Sequence, residues 1–194
     1  TLTANAIADD TGVYLFGSAG QSDFDVSKSD VDSTYFSPSD AGLYSSSLDT
    51  TDTAYKVGAG FQLSKNFGLE IQYIDLGQLE YKANIGNGAA NLKSTAEVSG
   101  GGLSLVGTLP LENFSVFGKV GYQSLKTEID QKITSVVGDA SANDSNTDWS
   151  TSYGLGGAYA LNESVSLVAE YERYTDVSDS GDDVDLLSAG VRYN

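Results

Sequence analysis

The chain has 194 residues, enough for one domain, and 27 acidic against 10 basic residues give a formal net charge of -17, which excludes a nucleic-acid surface. With no Cys, His or Met it lacks disulfides, thiol nucleophiles, His-based triads and the usual zinc ligand sets, while Gly 22 and Tyr 12 beside Pro 2 favour strands over helices. No apolar run approaches the ~18 residues of a membrane-spanning helix, since residues 103–111 are broken by Ser104, Gly107, Thr108 and Pro110, but a barrel strand needs only about 9–11.

In chain order, Ala4 and Ala6 make a small-x-small pattern that resembles a signal-peptide cleavage site. Residues 1–10 are read as an N-terminal extension, either that remnant or an ordinary terminus, and 11–194 as the folded unit. A first strand lies near residues 11–21. Period-two alternation runs through Tyr55, Val57, Ala59, Phe61 and Leu63, turns at residues 64–66, and resumes through Phe67, Leu69, Ile71 and Tyr73. Leu103, Leu105 and Leu109 lead through 110–113 to Phe114, Val116, Val120 and Tyr122. Tyr153, Leu155, Tyr159 and Leu161 lead through 162–164 to Val165, Leu167, Ala169 and Tyr171. Leu187, Ala189, Val191 and Tyr193 mark the last strand.

That makes about eight strands, the smallest number used by single-chain outer-membrane barrels. The short turns alternate with long polar connections, expected as loops over residues 22–51, 80–93, 128–148 and 176–185. A soluble sandwich or lipocalin has no reason to gather every long acidic connection at one rim. The fold class predicted is all-β: an eight-stranded antiparallel up-and-down transmembrane β-barrel with short periplasmic turns and long extracellular loops.

Strand parity then separates two faces. One carries the large apolar residues, and toward its strand ends stand Tyr55, Tyr73, Tyr122, Trp149, Tyr153, Tyr159, Tyr171 and Tyr193, placed to form aromatic girdles at the lipid interface. The other face is built from Gly58, Gly60, Gly121, Gly154, Gly156, Ala158, Ser166 and Ser188, small enough for a lumen that side chains fill. Its charges are Lys56, Lys119 and Arg192 against Glu70, Glu170 and Glu172, a balanced set that must pair because unpaired buried ions are costly. The excess negative charge falls to the loops, in Asp23, Asp25, Asp30 and Asp32 and in Asp176, Asp179, Asp182, Asp183 and Asp185. Their spacing matches no EF-hand, and no metal site is expected.

The stretch GFQLSKNFGLEIQYIDLG at 60–77, the segment 105–122 and the ending LSAGVRY at 187–193 resemble the OmpA-like transmembrane domain of Gram-negative outer membranes. The resemblance spans nearly the whole chain. It implies that Glu70 holds the position of an interior glutamate whose exchange between basic partners gates a small pore. Val106 and Val168 stand where those two basic partners would be, so Glu70 would have to use Lys119, Lys56 or Arg192. The resulting expectation is a non-enzymatic barrel of the cell outer membrane, without cofactors, serving as a structural element with a narrow ion-pair-gated pore. The alternative is a surface adhesion or ligand-binding barrel acting through its acidic loops. Its expected partners are outer-membrane lipid and lipopolysaccharide, the latter through divalent cations, and an unknown extracellular ligand, with the barrel itself monomeric.

Overall fold

The computed structural model describes residues 12–177 and 181–194; Ala4, Ala6, Thr11 and Asp179 lie outside the described residues. The elements are β1 (Gly12–Phe24), α1 (Lys28–Tyr35), β2 (Tyr44–Asp49), β3 (Thr51–Gln62), β4 (Phe67–Ile85), β5 (Ala90–Leu111), β6 (Phe114–Ser135), β7 (Gly138–Ala160), β8 (Val165–Thr175) and β9 (Val184–Tyr193). β1 pairs with β3 on one side and β9 on the other, and antiparallel ladders from β3 through β9 complete a closed ring of eight strands. The ninth strand, β2, lies outside the ring against the far end of β4. Among the described residues no helix is long and apolar enough to cross a membrane, which says nothing against crossing by strands.

Outward parity is apolar around the ring. Leu15, Val57, Leu69, Ile71, Leu103, Leu105, Val120, Leu155, Leu167 and Val191 are all exposed, an arrangement that water would penalise and hydrocarbon would not.

Two expected loops are strands. Residues 80–93 continue the β4–β5 ladder to Ile85 and Ala90, joined by a 3-10 turn at Gly86–Gly88, and residues 128–148 continue the β6–β7 ladder to Ser135 and Gly138. In β7 the alternation is lost because both faces are polar or small, residues 138–148 containing nothing apolar larger than Ala, whereas on β4 and β5 Tyr81, Ala83 and Leu92 stand too far apart in the sequence to mark a period. Register to β6, rather than burial, holds residues 138–147 extended. One side of the barrel therefore rises as a fin of five strands beyond the shorter β1, β3, β8 and β9. The first expected loop, 22–51, is also ordered in part, containing α1 and β2.

The fin has its own small core. Ser27 caps α1 by accepting from the Asp30 amide at 3.3 Å, and Lys28 pairs with Asp32 one turn on at 2.7 Å. Val31, Tyr35, Phe36 and Leu48 pack on Tyr81, Ala83 and Leu92, and the Tyr81 hydroxyl donates to Asp32 at 2.6 Å. The register of β4 against β5 shifts between Asp75 and Gln78, where Gly77 takes φ of 76°. This bulge inserts one residue and exchanges the faces of β4 above it. Below it Glu70, Gln72, Ile74 and Leu76 point inward; above it Tyr81 and Ala83 do.

Candidate functional site

Inside the barrel the side chains form three layers. Nearest the short turns, Val106, Phe117 and Ala158 pack with Val168. Toward the fin, Phe24, Ala54, Ile74, Leu76, Val98, Leu125, Tyr174, Val184 and Leu186 form a larger apolar cluster. Between them lie the six lumen charges named from sequence, all brought into one network.

Lys119 is its hub. The ammonium stands 2.7 Å from Glu70 Oε2, 2.7 Å from Glu170 Oε1 and 3.9 Å from Glu172 Oε1. Lys56 pairs with Glu170 at 2.6 Å and also with Glu172. Arg192 reaches Glu70 Oε1 at 3.4 Å. Of the three cations open to Glu70 in the sequence, Lys119 and Arg192 are used, while Lys56 is committed to the β8 pair. Five of the six residues are nearly inaccessible, and the cavity beside them holds about 20 Å³, room for little more than one water. The glutamates at 170 and 172 share the lumen because their parity on β8 is the same.

Four interior aromatics complete the network, and sequence reasoning did not single them out. Tyr14 donates to Glu70 Oε1 at 2.7 Å and Tyr174 to Glu172 Oε2 at 3.1 Å. The Arg192 guanidinium lies 4.4 Å from the Tyr14 ring centroid, and the Lys119 ammonium 5.4 Å from that of Phe16 and 5.9 Å from that of Phe117. Cross-strand pairing was the available signal: Tyr14 faces Gly60 and Phe16 faces Gly58. A Cβ on Gly60 would lie 2.0 Å from the Tyr14 ring, so the glycine is what admits the tyrosine. Val106 and Val168 help build the apolar layer under the network.

The eight outer-face aromatics are all exposed. Tyr159 and Tyr193 lie at the short-turn end, whereas Tyr55, Tyr73, Tyr122, Trp149, Tyr153 and Tyr171 lie toward the fin. Tyr122 and Trp149 stack with centroids 4.9 Å apart. At the barrel mouth the acidic runs gather around Arg173, which donates to Asp185 at 2.7 and 2.8 Å and lies 3.8 Å from Asp25 and 3.9 Å from Asp183. Among the described residues no group of three or more acidic side chains is arranged to hold a metal.

A ring of eight antiparallel strands with an apolar outer band, a polar packed lumen and aromatics at both margins defines a small transmembrane β-barrel. The chain belongs to the outer membrane protein beta-barrel domain family, whose model matches residues 1–194, and it is thus a protein of the Gram-negative outer membrane. Among solved structures it is similar to the attachment invasion locus protein Ail of Yersinia pestis, at 15% identity and TM-score 0.51 over 94% of this chain and 96% of that one. Neisserial surface protein A is similar at 13% identity and TM-score 0.51, over 94% and 97% of the two chains. OprG from Pseudomonas aeruginosa follows at 14% and 0.50, over 97% and 99%. At these identities the likeness concerns the fold. No curated protein matches the sequence.

Proposed function

We propose that this protein is a sealed, non-catalytic outer-membrane barrel whose short turns face the periplasm and whose fin acts at the cell surface by binding an extracellular ligand. The observation that carries the reading is the filled lumen, in which a fully paired charge layer lies between two apolar layers. A sealed wall leaves the fin as the part able to meet other molecules. The charge network is then a structural plug, and the outer aromatics anchor the wall at the two lipid boundaries. Lipid and lipopolysaccharide are its membrane partners, with divalent ions screening the acidic mouth, and the barrel acts as a monomer.

A second reading, the ion-pair-gated pore, draws on Lys119, whose ammonium touches carboxylates from both β4 and β8 and could pass from one to the other. Planar-bilayer recording separates the two. The sealed barrel gives no discrete conductance steps, whereas steps in the wild type that Lys119→Met abolishes or enlarges would overturn sealing in favour of the gate.

A further inference from the structure

The fin's outward face carries a row of lysines that the acidic composition conceals. Lys82 on β4 lies directly opposite Lys93 on β5, which lies directly opposite Lys132 on β6. Residues opposite one another in a ladder share a face, and like charges so placed destabilise the sheet. The face is settled by their neighbours: Tyr81, Ala83 and Leu92, of opposite parity, are buried beneath α1. One row further out, Asn84, Asn91 and Thr134 are aligned in the same way. Together these rows line a trough of about 540 Å³ in which ammonium, amide and hydroxyl groups converge and no carboxylate takes part. Glu80, at its border, bridges Lys82 and, at 2.5 Å, Lys93. Asp130 and Asp139 stand on the same face one row to either side, and Lys132 makes no ion pair among the described residues.

We infer that this trough binds a phosphorylated saccharide, with the lysines taking phosphate and the amides and hydroxyls taking sugar oxygens. The continuity of the face points to the source. Followed down β6, the side of Lys132 becomes the side of Tyr122 and Val120, which face lipid. What stands beside the trough is therefore whatever projects from the surrounding outer leaflet. At roughly 3.4 Å per residue and a tilt of about 40°, Lys132 lies on the order of 25 Å above Tyr122. That is the zone of the phosphorylated core saccharide of lipopolysaccharide. The inference rests on the lipopolysaccharide partnership proposed above but replaces a cation bridge with direct lysine contact.

The test is binding of delipidated, phosphorylated core saccharide to the detergent-solubilised, lipopolysaccharide-free full chain, with and without EDTA. Lys82→Gln/Lys93→Gln/Lys132→Gln should weaken binding about tenfold, Lys132→Gln alone should weaken it measurably, and Lys65→Gln at the opposite end should not. Glu80→Gln, which releases two lysines, should strengthen it, and chemically dephosphorylated saccharide should not bind. Binding abolished by EDTA yet indifferent to the lysine variants overturns the direct contact while leaving the partnership standing. Binding to a soluble sulfated polysaccharide with none to core saccharide overturns the assigned source, and no binding to either overturns the site itself. Heat-modifiable gel mobility confirms that each variant is folded.

Discussion

Replacing Lys119 by Met removes one charge from a lumen that holds three cations and three carboxylates, and keeps the side chain's length. Lys119 is 5% exposed and touches Glu70 and Glu170 at 2.7 Å each, so no water takes over its role. Glu70 keeps Tyr14 and Arg192, but Glu170 and Glu172 are left sharing Lys56 alone. One carboxylate is then uncompensated, a condition that costs ~3–5 kcal/mol in buried ion pairs. Adding Glu170→Gln restores the balance at two charges of each sign. The double variant should recover most of the loss, giving a coupling energy above ~1 kcal/mol. Urea unfolding in lipid vesicles measures both, with fluorescence of the single Trp149 as one probe and heat-modifiable mobility as the other. A loss below ~1 kcal/mol for Lys119→Met, or strict additivity in the pair, would refute the account of the lumen as a closed charge balance.

Leu69→Arg, on the outward face at 47% exposure, should destabilise the vesicle-inserted barrel by ~2–4 kcal/mol if that face meets the bilayer midplane; a neutral result in the same urea titration would contradict the facing. Gly60→Ala should cost about 1–3 kcal/mol, because its new methyl must displace the Tyr14 ring and with it the bond to Glu70; an unchanged unfolding midpoint would show that the ring has room. In the fin, hydrogen bonds from Lys82 and Lys93 hold the Glu80 carboxyl below its usual value. A depressed carboxyl contributes stability that is complete above the unfolded value of ~4.3 and is lost as pH falls through the folded one, so amide protection factors in the β4–β5 hairpin, corrected for the intrinsic exchange rate at each pH, should fall in acid; Glu80→Gln should remove that dependence.

How far the sequence could be read depended on whether a residue's environment left a contrast. Leu69 against Glu70 and Ile71 against Gln72 alternate between lipid and lumen, two media of opposite preference, so parity alone placed the outer band and all six lumen charges. In the fin both faces of β7 meet water, and a run such as Asp139-Ala140-Ser141-Ala142 carries no contrast, which is why strands there read as loop. α1 was hidden for a related reason: it buries little, and of its residues Val31 and Tyr35 alone pack apolar surface on the sheet. Tyr14 and Phe16 were within reach of parity but lacked a partner until pairing with Gly60 and Gly58 was known, because cross-strand register is not a local property.

The bulge at Gly77 links these two regimes. Below it β4 is ordered by lipid, and its even-numbered residues enter the lumen; above it, the same parity would turn Lys82 inward under α1 and expose Tyr81 and Ala83. The inserted residue avoids both penalties at once, burying the apolar pair and releasing Lys82 into line with Lys93 and Lys132. The conformation it requires, a φ of 76°, is one that glycine adopts without strain, and the Asp52 carboxylate accepts from the Gln78 amide at 2.9 Å to hold the bulge in place. The fin core and the outward placement of Lys82 are therefore two consequences of one local irregularity.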